Sequence, residues 1–222
     1  MKTALLIGAS GLVGSALTQL LIEDSHFSKI IVFTRRPLEI ADDKLQEHII
    51  DFASPQNWQH LVQGDVLFSA LGTTLKQAGT KEAQFKIDYT YQLDFARAAA
   101  ENDVPVYVLV SAASANPRSM LFYTRIKGEL ERDVKKLAFQ SISIIQPSLL
   151  YGKRQTSRLG EKLSYLFLKF FNSFGQLKKY RPIAADIVAK ALMNAALQAD
   201  RGISTYTLDK IFQLSEIKFN KK

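Results

Sequence analysis

A tyrosine and a lysine stand four residues apart at Tyr123 and Lys127. Side chains at positions i and i+4 share one face of a helix, so this pair would lie side by side. A neighbouring ammonium favours the phenolate and lowers the pKa of a phenol, which is ordinarily about 10. A tyrosine with a lowered pKa can exchange a proton with a substrate hydroxyl or carbonyl, and the lysine is left to hold ribose hydroxyls. The pair predicts an acid–base site.

The same spacing occurs at two other places in the chain, in the pairs that begin at Tyr165 and Tyr206. Only the pair at Tyr123 follows a buried strand that ends in a serine, Ser111. That order brings the three groups to the carboxyl edge of a parallel sheet, where ligands of open α/β sheets bind. For the other two pairs, packing in the core or at the surface is favoured.

A run of spaced glycines comes where the first strand meets the first helix. Gly8 permits a tight turn, Gly11 lets the backbone approach a pyrophosphate, and Gly14 allows the helix to pack close to the strand. Phosphates would then face the amino terminus of the helix, where unpaired N–H groups favour negative charge. An ordinary tight turn is the alternative, but the position of the motif favours dinucleotide binding.

Residues at the end of the second strand indicate which dinucleotide the site would bind. An NAD site usually has an acidic residue there for the ribose hydroxyls, whereas arginine accommodates a 2′-phosphate. This chain has Arg35 and Arg36 and no acid at the strand end. Two guanidiniums can bind a phosphate bidentately, so NADP(H) is favoured over NAD(H). The alternative is two solvated arginines in a loop.

Short apolar runs alternate with helical patterns along the chain, which predicts an α/β fold with a doubly wound, mostly parallel Rossmann sheet and helices on both faces. We expect one NAD(P)-binding domain over 1–222, with 148–222 forming a small substrate-side cap. Strands are predicted at 3–7, 29–33, 65–69, 105–110, 141–145 and 203–208, with a weaker one at 48–50, and helices at 12–23, 81–100, 120–137 and 182–197.

Composition narrows the function classes. The net charge is +8 and the pI about 9.5, but the basic residues are spread along the chain without a nucleic-acid reader motif, so no nucleic-acid partner is expected. The chain has no cysteine, and its three histidines show no metal-ligand spacing, so no metal site is expected. Without a secretory or membrane-spanning pattern, the location is predicted as cytoplasmic.

An aromatic stretch at 163–174 has four interpretations: core, a lid, a dimer face or a membrane-surface helix. Core or lid packing is favoured. Flanking lysines keep peripheral membrane contact open as a less favoured alternative, and a homodimer also stays open.

An ordered set of motifs spans most of the sequence and resembles the atypical extended short-chain dehydrogenase/reductases. Within them it is similar to the group that contains the Tat-interacting tumour-suppressor protein and its bacterial relatives. The ordered set is far more specific than any single motif. Its members are 8–11, 27–29, 35–36, 51–52, 71–74, 127–129, 154–155 and 157–158.

The resemblance implies roles for individual residues. Ser111, Tyr123 and Lys127 match the catalytic serine, tyrosine and lysine, with the serine bonded to the substrate oxygen. Asp51 and Phe52 would lie near the adenine. Together with the glycine turn, the resemblance predicts a cofactor site made of Gly8, Ser10, Gly11, Leu12, Val13, Arg35, Arg36, Asp51, Phe52, Ala70, Leu71, Gly72, Thr73, Tyr123, Lys127, Pro147 and Leu150.

Some positions depart from the pattern. Gln146-Pro147-Ser148 stands where this group often has Arg-Pro-Gly, so any role of the arginine is lost. Relatives often have paired serines after the fifth strand, which leaves Ser114 as a rival to Ser111. The region after Pro147 is also short, which leaves little room for a large sugar-nucleotide pocket.

The sequence therefore predicts an NADP(H)-dependent oxidoreductase, or an epimerase-like enzyme, that uses Tyr123 as acid and base. Its small-molecule substrate would be a carbonyl, an alcohol or a sugar-nucleotide-like compound. Two alternatives stay open: a regulator that senses NADP(H) with little or no turnover, and a scaffold that keeps only the fold.

Overall fold

A computed structural model describes residues 1–152 and 181–219. Its strands are β1 (Lys2–Ile7), β2 (Phe27–Thr34), β3 (Leu45–Ile49), β4 (Val66–Ser69), β5 (Val106–Val110), β6 (Ser141–Gln146), β7 (Leu150–Tyr151), β8 (Ile183–Ala184) and β9 (Gly202–Thr207). Its helices are α1 (Leu12–Glu23), α2 (Leu75–Ala78), α3 (Lys81–Phe85), α4 (Tyr91–Glu101), α5 (Phe122–Val134), α6 (Ala185–Gln198) and α7 (Asp209–Ser215). Short 3-10 turns lie at Pro55–Asn57 and Gln59–Leu61.

Seven strands form one parallel sheet in the order β3-β2-β1-β4-β5-β6-β9. Side chains of β1 alternate between two cores: Ala4 and Leu6 pack on one face of the sheet, and Leu5 and Ile7 on the other. Strands buried on both faces read as continuous apolar runs, which is why their positions follow from the sequence. The doubly wound α/β fold is confirmed.

The strand order reverses between β1 and β4, so the chain leaves β1 toward one side of the sheet and continues from β4 toward the other. In open α/β sheets this reversal opens a crevice at the carboxyl ends of the strands. The loops after β1, β2 and β4 meet there.

The long helix predicted at 81–100 is interrupted. A π-helical turn over Lys86–Thr90 joins α3 to α4, and it brings the side chain of Asp88 into the protein interior. Turns of this kind frequently occur at functional sites.

The described part of the C-terminal region contributes to the main sheet and to one of its helical layers. Within 148–222, β9 pairs with β6 in the main sheet, and α6 packs against α1. Val188 and Leu192 of α6 are fully buried among alanines, and these small side chains let the two helices approach closely. Only the two-stranded sheet of β7 and β8 stands apart from the main sheet in the described ranges. The aromatic stretch at 163–174 and the motif residues 154–158 lie outside the described residues.

None of the helices in the described ranges is long and apolar enough to span a membrane.

Candidate functional site

The turn between β1 and α1 is shaped by the absence of side chains. Gly8 has φ +88°, and a Cβ there would lie 2.5 Å from backbone atoms of Ala70. A Cβ on Gly14 would overlap the carbonyl oxygen of Gly8. The Gly11 N–H donates to that same carbonyl at 2.9 Å, and Gly11 caps α1 without a side-chain hydrogen bond. The amino terminus of α1 therefore offers backbone donors to an anion.

A cleft of about 890 Å³ opens at this turn, within the usual range of about 300–1,000 Å³ for ligand pockets. It runs from the loop after β2, past the glycine turn, to the loop after β4. The predicted cofactor residues that line it are Gly8, Ser10, Gly11, Leu12, Arg35, Arg36, Phe52, Ala70, Leu71, Gly72 and Thr73. A single cleft thus collects predicted residues that follow four strands, β1 to β4.

Six predicted cofactor residues do not line the cleft: Val13, Asp51, Tyr123, Lys127, Pro147 and Leu150. Val13 is buried in the core on the α1 side of the sheet, and Leu150 lies in β7, paired with Ile183. The Pro147 carbonyl accepts from the Ala113 N–H at 3.0 Å. Neither Pro147 nor Leu150 lines the cleft.

The carboxylate of Asp51 is bound within its own turn. Its carboxylate accepts from the Ala53 N–H at 2.9 Å and from the Ser54 hydroxyl at 2.8 Å, and these two bonds lower the pKa of the carboxyl. The side chain therefore caps its own turn, and only its neighbour Phe52 lines the cleft.

A glutamate organises the loop that carries the arginines. Glu47 on β3 accepts from the Thr34 hydroxyl at 3.1 Å and from the Leu38 N–H at 3.0 Å. These bonds tie the two ends of the loop together while Arg35 and Arg36 stay exposed at the cleft. Sequence reasoning missed Glu47, since nothing in an isolated strand pattern indicates which loop its side chain reaches.

Lys127 is held by a buried carboxylate. Its ammonium lies 2.9 Å from Asp88 Oδ1, with the lysine side chain 3% exposed and the aspartate fully buried. Burial lowers the pKa of Lys127, but the Asp88 carboxylate and the nearby Tyr123 more than offset this, so the pKa is raised. The other Asp88 oxygen accepts from the Thr73 N–H at 3.3 Å. Asp88 therefore connects the loop after β4 to the lysine, which is not free as the sequence suggests.

Ser111 is also engaged by a carboxylate. Its hydroxyl donates to Glu131 Oε1 at 2.5 Å, and the Gln146 side chain donates to the same oxygen at 2.8 Å. Ser111 is 4% exposed and does not line the cleft, whereas its rival Ser114 is exposed. In this arrangement the Ser111 hydroxyl points to a buried acid.

Tyr123, by contrast, reaches the surface at the start of α5, where it is 43% exposed. It lines a second pocket of about 340 Å³. Thr73 lines this pocket and the cleft as well, so the two adjoin at that residue. The described residues contain no group of three or more His, Cys, Asp or Glu placed to hold a metal ion.

Residues 4–209 match the model of the NAD dependent epimerase/dehydratase family. The chain belongs to this family. Curated relatives in it include the mitochondrial protein fmp52 of Emericella nidulans, 32% identical over 96% of this chain and 95% of the relative. The fmp52 protein of Aspergillus fumigatus is 34% identical, over 90% of this chain and 88% of its own.

Two solved structures superpose on nearly the whole chain and share its fold. MoeE5 in complex with UDP-glucuronic acid and NAD has a TM-score of 0.73 at 18% identity, over 96% of this chain and 81% of its own. Gox2253 has a TM-score of 0.71 at 19% identity, over 96% and 74%. Membership of the family supports an NAD(P)-dependent enzyme of the oxidoreductase or epimerase type.

One prediction is overturned by these relatives. The fmp52 proteins are named as mitochondrial, so the cytoplasmic location inferred from the sequence is wrong. A sequence that lacks secretory and membrane patterns still leaves several compartments open.

Proposed function

We propose that this member of the epimerase/dehydratase family is an NADP(H)-dependent oxidoreductase that interconverts a carbonyl and an alcohol. The observation that carries the proposal is the continuity at Thr73 between the glycine-built cleft and the pocket that contains Tyr123. A dinucleotide in the cleft would have its phosphates at the α1 terminus, with room at Thr73 for its reactive end to meet a substrate beside Tyr123.

The preference for NADP(H) is supported by the charges at the far end of the cleft. Arg35 and Arg36 line it there, with Glu39 as the carboxylate beside them. The other nearby acid, Glu47, is already bonded to Thr34 and Leu38 and faces the loop. Two guanidiniums against one carboxylate favour a ligand with an added 2′-phosphate.

The protein residues would bind, orient and move one proton. Bound NADPH would supply the hydride for the carbonyl carbon and leave as NADP+, while Tyr123 supplies the proton to the carbonyl oxygen. The Asp88 carboxylate raises the pKa of Lys127 in spite of the burial of the lysine, so Lys127 stays protonated. Its ammonium would hold the ribose hydroxyls of the cofactor beside Tyr123.

Thermal unfolding with added dinucleotide tests the preference. A ligand that binds only the folded state adds about 2.7 kcal/mol at a hundredfold excess over its Kd. We expect NADPH and NADP+ to raise the Tm well above the effect of NADH and NAD+. The double variant Arg35→Gln/Arg36→Gln should lose this difference and keep the weaker response to NAD(H). Equal shifts for the two dinucleotides would contradict the preference, and no shift with either would contradict the cofactor site.

A second function, sensing NADP(H) with little turnover, is favoured by one observation: the Ser111 hydroxyl is bonded to Glu131. A site without a serine donor at the substrate oxygen would bind cofactor better than it catalyses. Tyr123→Phe separates the two functions, because an enzyme loses turnover while its NADPH affinity is kept. The narrower similarity to the Tat-interacting protein group belongs to this second function and stays a prediction.

A further inference from the structure

The pocket beside Tyr123 is lined by polar and apolar side chains and one lysine. Its lining consists of two threonines, a glutamine, a leucine, a lysine, a phenylalanine and the tyrosine itself: Thr73, Thr74, Gln84, Leu75, Lys81, Phe122 and Tyr123. Among these described residues, Lys81 carries the only charge. At about 340 Å³ the pocket is near the lower end of the usual range for small-molecule sites.

An aromatic ring with two cations beside it forms part of this wall. The Lys81 ammonium lies 5.7 Å from the centroid of the Phe122 ring, and the Arg125 guanidinium lies 5.9 Å from the same centroid. Ring faces attract cations at such distances, which keeps both side chains close to the pocket. Arg125 is only loosely paired, with Glu129 at 3.9 Å.

Lys81 is available for a ligand. In the part of the chain that the structure describes, its ammonium forms no salt bridge. Lys127, in contrast, already forms a buried salt bridge with Asp88. An incoming anion would therefore meet uncompensated positive charge at Lys81 and a flat apolar surface at Phe122.

We propose that this pocket selects substrates that carry an anionic group on a planar, apolar body, such as aromatic aldehydes or alcohols with a carboxylate. The proposal rests on the oxidoreductase function, which assigns the reacting carbonyl to Tyr123. The ring of such a substrate packs on Phe122, its carboxylate pairs with Lys81, and its carbonyl faces the tyrosine. A neutral sugar has neither the flat apolar face nor the negative charge that this wall accommodates.

A matched pair of probes tests the charge preference without turnover. The protein is loaded with NADP+, which cannot reduce an aldehyde, and titrated by calorimetry with para-formylbenzoate and with its neutral methyl ester. We expect the acid to bind up to about fivefold more tightly than the ester, since a partly exposed charge pair contributes up to about 1 kcal/mol. Lys81→Gln should reduce this ratio to nearly one.

Lys86→Gln is the control, because Lys86 is an exposed lysine of the same segment that lines neither pocket. It removes the same net charge and should leave the preference for the acid unchanged. Equal affinity for acid and ester, no saturable binding of the acid, or equal losses in the two variants would each overturn the proposal. NADP+ binding is measured on the same samples, so a failure of the cofactor site is recognised separately as loss of that signal.

Discussion

Two regions on either side of Thr73 are built by opposite means. The cleft at the glycine turn is formed by backbone: Gly8 and Gly14 leave no room for a side chain, and the amino terminus of α1 presents N–H groups. Helix α5, which carries Tyr123 and Lys127, is anchored instead by buried charge, through the pair of Lys127 with Asp88 and the bond of Ser111 to Glu131. The first region tolerates little added volume, and the second tolerates little change of charge.

This contrast changes how loss of function in variants should be interpreted. A buried ion pair that loses one partner leaves an uncompensated charge, which is costly for folding as well as for chemistry. Substitution of a glycine in the tight turn is expected, by contrast, to lower the affinity for a ligand bound at that turn. Stability and cofactor affinity measured side by side distinguish the two regions.

The largest effect is expected for Lys127→Met. Asp88 would stay buried without its cation, at a cost of about 3–5 kcal/mol, a large share of the roughly 5–15 kcal/mol of a typical domain. Urea unfolding monitored by circular dichroism measures the loss. The exposed Tyr123→Phe is the control and should stay within about 0.5 kcal/mol of the parent.

The double variant Asp88→Asn/Lys127→Met keeps the buried pair neutral and should recover a substantial part of that stability. If the single and double variants are equally unstable, volume and packing explain the loss, and the contrast between the two regions fails.

An intermediate effect is expected for Gly8→Ala, which has a well-matched control in Gly79→Ala. The two glycines have nearly the same φ, +88° and +85°, but Gly79 has nothing within 4 Å of an added Cβ. Each variant loses about 1–2 kcal/mol from the left-handed backbone. Gly8→Ala adds the clash with Ala70 and should also weaken NADPH binding in calorimetry by tenfold or more. Equal NADPH affinities in the two variants would contradict a cofactor at this turn.

The smallest effect is expected on the outer face of α5, at Asp133. Hydrogen bonds from Arg132, then from Lys136 and Tyr89, hold the pKa of this carboxyl far below its usual range, against the opposing effect of burial. Because the folded pKa is depressed, the stabilisation is present above the unfolded pKa of about 3.9 and is lost as the pH falls through the folded pKa.

The Tm of Asp133→Asn should therefore lie slightly below that of the parent at neutral pH and approach it in acid. Thermal unfolding across a pH series measures the convergence. A Tm difference that does not depend on pH would show that Asp133 acts through shape and not through charge.

Parts of the fold that depend on local pattern were predictable from the sequence. The central strands β1, β2, β4, β5 and β6 read as apolar runs because both of their faces are covered. All side chains of the edge strand β3 are at least partly exposed, which is why its pattern is weak. Helix α6 has an alanine-rich face, which gives little sign in the sequence of how deeply it is buried.

The candidate site also has features that could be predicted from the sequence and features that could not. A glycine turn can be recognised from spacing, since each glycine meets a local backbone requirement. The partners of Lys127 and Ser111 cannot, since Asp88 and Glu131 read as ordinary polar positions of helices until tertiary structure brings them to their partners. Only the sheet and the π-helical turn decide which carboxylate meets which donor.

Trp58 gives the protein an intrinsic optical reporter. It is the single tryptophan of the chain, 1% exposed, and it is stacked on Phe95 at 3.9 Å between centroids while its indole N–H donates to the Asp51 carbonyl. Phe95 in turn contacts Phe52, which lines the cleft. Fluorescence excited at the indole absorption band therefore comes from one site beneath the cleft. Quenching of this fluorescence, or energy transfer from it to a reduced nicotinamide, would report cofactor binding in real time without any added label.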